Sequence, residues 1–116
     1  PSSSKFIAMH THEAVKFFIK NNNINEISGI YHLVPNGYTS WYNYALRIMN
    51  YISRIKSLSQ GNVLPKKTVV DVNKAIRPHF SALNNNKFKK VFNCNFENWE
   101  FYLDRFFEDQ KDNNLL

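Results

Sequence analysis

The sequence predicts a mixed α/β fold: about four helices with a small layer of two parallel strands. Three observations predict it. Apolar side chains recur every three to four residues in several segments, the pattern of amphipathic helices. Two short runs, residues 30–34 and 67–72, have strand length and are rich in β-branched, aliphatic or aromatic residues. The first run breaks at Pro35-Asn36-Gly37 and leads directly into a helix. Strand, helix and strand in that order imply a right-handed crossover with the two strands parallel.

Each element has its own justification. Ser2-Ser3-Ser4 offers an N-cap, and Phe6, Ile7, Met9, His10, Ala14, Val15, Phe17 and Phe18 then form a helical stripe that ends at Lys20 and the Asn21-Asn22-Asn23 run. Residues 24–28 read as a loop. The stretch from Gly29 to Ala45 organises the rest. Ile30, Tyr31, Leu33 and Val34 form the first strand, Pro35 cannot donate to a ladder, and Asn36-Gly37 tolerates positive φ. Thr39 or Ser40 caps a helix reaching about Ile55. Its stripe of Trp41, Tyr44, Ala45, Ile48, Met49, Ile52 and Ile55 places Trp41 and Tyr44 in the core. Gly61 and Pro65 mark a loop before the second strand. Asn84 or Asn85 caps a short helix through about Val91, with Phe88, Val91 and Phe92 inward. Asn95 caps the last helix, where Phe96, Trp99, Leu103, Phe106 and Phe107 form the buried stripe. Residues 110–116 read as a frayed tail. Two strands are too few for an independent sheet, so the layer calls for a larger missing body or a partner.

Composition bounds the function. At 116 residues with 43% hydrophobic and 16% aromatic content, residues 1–116 suit a single domain or part of one and are too apolar for a disordered chain. The net charge of +6 permits a phosphate-bearing partner. The lysines are scattered, however, and no interleaving of basic and aromatic residues points to nucleic acid. The chain has one cysteine, Cys94, so an internal disulfide is excluded and a cytoplasmic setting is expected. No long apolar run suggests a membrane span. The chain starts at Pro1, which fits methionine removal before proline and equally a start partway through a larger protein. His10 and His12 are two apart, on different faces of a helix, and make a poor metal pair. No glycine-rich dinucleotide loop or Tyr-x-x-x-Lys occurs, no Ser-His-acid or Cys-His arrangement is supported, and no close pair of carboxylates falls in a predicted cleft. By chemistry alone the chain is a binding or interaction module. One further residue stands out: Pro78 biases Arg77 towards an extended conformation, from which a guanidinium can fork two phosphate or carboxylate oxygens.

Gly29-Ile30-Tyr31-His32-Leu33-Val34, then Gly37, then Thr39-Ser40-Trp41-Tyr42 resembles the C-terminal part of dTDP-4-dehydrorhamnose reductases, which are extended short-chain dehydrogenases. Arg77-Pro78-x-x-Ser81-x-Leu83-Asn84-x-x-Lys87-Phe88 is similar to a segment of the same family, and Asn98-Trp99 to the opening of its last helix. The resemblance covers nearly the whole chain in order and spacing. It departs at Asn43, where many relatives carry an acid that completes a capping box with Ser40, and between Gln60 and Arg77, which lacks the family's Pro-Thr run.

What the resemblance implies is an N-terminal Rossmann domain that this chain lacks and a C-terminal substrate domain that it supplies. The family reaction, reduction of dTDP-4-dehydro-L-rhamnose to dTDP-L-rhamnose with NADPH or NADH, is then implied for a complete protein. No catalytic residue and no cofactor fall within these 116 residues, and the chain alone is expected to be inactive. Arg77 is the matching candidate for contact with the diphosphate of a dTDP-sugar. Ser81 and Lys87 are expected to hold that segment and cap its helix. No metal site is assigned, although Glu108 and Asp109 lie near the place of a family acid. Partners are the nucleotide sugar, the missing Rossmann domain and, as an open case, a second copy of the chain. A non-catalytic binding or regulatory protein of the same superfamily, or a gene remnant, is the alternative.

Overall fold

The computed structural model describes residues 2–21, 24–55, 61–67 and 78–112. Among them are five helices: α1 (Ser4–Lys20), α2 (Ile24–Ile27), α3 (Trp41–Ile55), α4 (Asn86–Val91) and α5 (Trp99–Asp112). The chain divides into two compact units, Pro1–Tyr38 with Ala82–Leu116, and Thr39–Ser81. None of the helices among the described residues is long and apolar enough to cross a membrane.

The helices begin where local chemistry starts them. Ser3 is extended, and its hydroxyl accepts from the Phe6 N–H at 3.1 Å, which caps α1. Ser40 does the same for α3, accepting from the Asn43 N–H at 3.1 Å, so Asn43 in place of an acid does not cost the cap. α1 ends at Asn21, whose backbone N–H and side-chain amide both reach the Phe17 carbonyl. Residues 24–27, expected as loop, form the single turn α2. α5 starts at Trp99 and not at an Asn95 cap.

The predicted strand layer is not there. Among the described residues no strand occurs, and the mixed α/β reading gives way to a helical one. Residues 30–34 form no ladder, and Ile30 is 83% exposed. Of the second predicted strand, Lys67 carries no regular structure and residues 68–72 lie outside the described residues. The physical reason is visible at the carbonyls of the first run. Side chains, not a neighbouring strand, satisfy them: Lys87 Nζ donates to Ile30 O at 3.1 Å, and Asn85 Nδ2 donates to Val34 O at 2.9 Å. The isolated parallel bridge that the described residues do show, Asn36 to Asn98, involves neither predicted strand. There the Asn36 N–H donates to Glu97 O and the Trp99 N–H donates to Asn36 O, each at 3.0 Å.

The first unit has a core made of rings. Phe6 is 1% exposed and packs with Ala14, Phe88 and Phe96; Tyr31, Leu33, Phe92, Cys94 and Tyr102 close around them. Phe6 meets Phe96 and Tyr102 edge to face at 5.1 and 4.6 Å between centroids, the arrangement ring quadrupoles favour. α5 buries Trp99, Leu103 and Phe107, while Phe106, expected inside, is 46% exposed. His10 is wedged edge-on between Phe6 and Phe96 at 4.6 and 4.7 Å, and its Nε2 is buried without a hydrogen-bond partner. Burial holds its imidazole below the ordinary histidine range, against a weaker upward pull from Glu13.

The second unit is different. α3 has its capped start and its apolar stripe, yet none of that unit's residues whose burial is described is buried. Trp41, expected in the core, is 85% exposed and touches Tyr44 edge to face at 6.2 Å.

Two outcomes follow for stability. Asn85 is 7% exposed and holds two acceptors. Asn85→Ala should cost about 1–3 kcal/mol by leaving them short of a donor, read as a lower urea midpoint at unchanged slope. For His10, the folded chain resists the proton that the unfolded chain takes up near its ordinary pKa of 6.5. Stability should therefore fall as pH drops through 6.5 and level off below the lowered folded value. In thermal melts, His10→Phe should remove that part of the acid sensitivity; an unchanged profile would refute the assignment.

Candidate functional site

The sequence places its ligand-facing bet on Arg77, which lies outside the described residues together with residues 68–76 before it. The residues that follow it in its own unit, Pro78 to Ser81, are all exposed.

Downstream, in the first unit, the segment is anchored by Lys87. Its ammonium donates to Ile30 O at 3.1 Å and sits 4.3 Å from the centre of the Tyr31 ring, within cation–π range. Tyr31 in turn donates its hydroxyl to Ile27 O. Gly29 leaves room for this arrangement. It sits at φ +139°, and a Cβ there would fall 2.8 Å from Lys87 Nζ. Lys87 thus ties the Gly29–Tyr31 backbone down and does not cap α4, as had been expected. The N-terminus of α4 is served by Asn84 instead, whose Oδ1 accepts from the Asn86 N–H at 2.8 Å, while the Asn85 side chain turns inward.

Asn36 is the residue that sequence reasoning missed. Its Oδ1 accepts from Asn85 Nδ2 at 3.0 Å and from Lys89 Nζ at 3.2 Å, and its Nδ2 donates to Phe96 O. Together with the backbone bridge, this joins residues near 36, 85–89 and 96–99. The side-chain partners lie 49 to 60 positions away, so no local pattern announces them. In the sequence Asn36 is legible only as a turn residue beside Gly37.

A groove of about 260 Å³ runs along α1 between His10, Glu13, Phe17 and Lys20 on one side and Phe88, Phe92 and Cys94 on the other. It is smaller than the sites that enclose drug-sized ligands. Its chemistry is quiet. Lys16 is paired with Glu13 at 3.1 Å, and His10 is held neutral at neutral pH. Burial pushes the Cys94 thiol up, with Lys89 pulling weakly the other way, so it stays protonated at neutral pH. Near the C-terminus, Asp109 is tied to Lys5 at 2.8 Å, and that hydrogen bond holds its carboxyl below the usual carboxylate range. Glu108 faces Arg105 at 3.6 Å. Among the described residues, no group of three or more His, Cys, Asp or Glu side chains gathers where a metal ion could sit.

A family model described as the RmlD substrate binding domain matches residues 1–111. The chain is 30% identical to the dTDP-4-dehydrorhamnose reductase of Escherichia coli (strain K12) over 103 residues, covering 86% of this chain and 33% of that protein. It is 31% identical to the reductase of the same name from Shigella flexneri, with the same coverage. With that of Salmonella typhimurium it shares 30% identity over 108 residues, 90% of this chain and 34% of that protein. No solved structure matches it significantly. The chain spans about a third of the length of the curated relatives it matches. With the matched span running from residue 1 to residue 111, the chain belongs to the RmlD substrate binding domain family.

Proposed function

We propose that this chain is the C-terminal substrate-binding part of a dTDP-4-dehydrorhamnose reductase, an oxidoreductase that reduces dTDP-4-dehydro-L-rhamnose to dTDP-L-rhamnose with NADPH or NADH in a cytoplasmic setting. The observation that carries the reading is the coverage: 86% of this chain aligns with only 33% of a reductase. The hydride donor and the groups that move the proton onto the sugar oxygen then belong to the two-thirds of the relatives that this chain does not span.

The part played here is binding. In this reading Arg77 forks two oxygens of the diphosphate, a task suited to a planar guanidinium. Pro78 supports it by biasing Arg77 away from helix, and the exposed run from Pro78 to Ser81 supports an open approach from solvent. Lys87 pins Ile30 and Tyr31, which fixes the entrance to the Pro35-Asn36-Gly37 turn without touching a ligand. Catalysis by the chain alone is not expected. The groove's only imidazole is neutral and hydrogen-bond-poor, and its thiol is un-ionised at neutral pH.

The test is a hybrid in which this chain replaces the matching C-terminal third of the Escherichia coli reductase. NADPH consumption with dTDP-4-dehydro-L-rhamnose is expected from the hybrid and not from the 116 residues alone. Turnover by the isolated chain would refute the inactivity, and a folded hybrid that neither binds nor reduces the sugar would refute the function. Arg77→Ala in the hybrid should weaken dTDP-sugar binding about tenfold or more, the scale of a lost hydrogen bond to a charged group. Unchanged affinity would remove Arg77 from the site.

A further inference from the structure

Asn36-Gly37 is the only Asn-Gly pair in the chain. The dipeptide is chemically reactive because glycine, lacking a side chain, lets its backbone nitrogen reach the asparagine carboxamide. Here the reactive carboxamide is also the polar node of the first unit. Three of its four hydrogen-bonding directions are engaged across the fold, with Oδ1 accepting from Asn85 and Lys89 and one N–H of Nδ2 donating to Phe96 O. The flanking backbone is held too, by the pair of bonds to Glu97 and Trp99.

We propose that Asn36 is a self-modification site gated by the fold: its carboxamide is locked while residues 30–38 are docked and deamidates irreversibly when they open. In the step, the Gly37 amide nitrogen bonds to Asn36 Cγ. Nδ2 leaves as ammonia, carrying the proton that Gly37 N–H gives up, and a succinimide forms. Water then opens the ring at either carbonyl, giving aspartate or isoaspartate. Water is the only co-reactant and nothing is oxidised or reduced. Cyclisation requires the side chain to turn towards its own C-terminal neighbour. That motion breaks the bonds to Asn85, Lys89 and Phe96, so the rate follows the population of the opened state.

The product does not fit the site it left. A carboxylate cannot donate to Phe96 O, and two acceptors would face each other there. Isoaspartate inserts a further carbon into the main chain between Asn36 and Gly37. The lengthened chain lies beside Gly37, where Trp99 packs closely. Gly37 sits at φ +78°, and a Cβ added to it would lie 3.3 Å from Trp99 Cδ1. A chain that has opened long enough to react is therefore marked, and it closes less well than before.

The experiment incubates the full chain at mildly alkaline pH in buffer and in concentrated urea, and follows residues 36–37 by peptide mapping that separates aspartate from isoaspartate. Conversion in buffer should be slower by about tenfold or more, equivalent to about 1.4 kcal/mol of opening free energy. Lys89→Met removes one of the two donors to Oδ1 from a lysine that is only partly buried; it should speed conversion in buffer and leave the urea rate unchanged. Equal rates in buffer and urea, or a Lys89→Met rate in buffer equal to the wild type, would overturn the proposal.

Discussion

The first unit depends on the engagement of Asn36 from both its backbone and its side chain. One residue holds the chain before α3, the start of α4 and the approach to α5 together, through side-chain bonds that span 49 to 60 positions and a backbone pair to Glu97 and Trp99. Individually such bonds contribute modestly, since each replaces a bond to water. Their weight lies in what they align. With the bridge in place, Trp99 enters α5 at the position where it, Leu103 and Phe107 face inward. With Asn85 turned towards Val34, Phe88 on the next turn reaches Phe6 and Phe96. Polar bonds set the register here, and ring packing supplies the burial.

That division shapes the candidate site. The groove along α1 is bordered by the ring cluster, so its titratable groups take their behaviour from burial more than from one another. His10 is kept from its proton and Cys94 keeps its own. These groups suit a packing surface better than reaction chemistry, in keeping with a chain that matches the substrate-binding region of its relatives.

Helices with strong caps and stripes were legible in the sequence. Ser3 and Ser40 announced two starts, and the stripes of α1, α3 and α5 located their helices to within a few residues. The resemblance in Gly29–Trp41, Arg77–Lys87 and Asn98-Trp99 identified the family. The strand layer was misread because residues 30–34 have the composition of a strand while their partners are amide and ammonium side chains. Periodicity reports which residues are apolar and not what answers their carbonyls. The role of Asn36 was equally invisible, since a turn asparagine and a long-range hub look alike in one dimension. Arg77 falls where the structure describes nothing, so its role rests on chemistry and resemblance.

Trp41 has a consequence of its own. It is the first residue of α3, and most of its surface faces solvent. A ring in that position adds little to the stability of the chain that carries it, for the hydrophobic effect rewards only area removed from water. Replacing it with serine would leave the melting of this chain close to unchanged, the usual result at an exposed position. The reason for an indole there is therefore not internal. One of the residues that carry the family resemblance of this stretch is thus one that the described fold could do without.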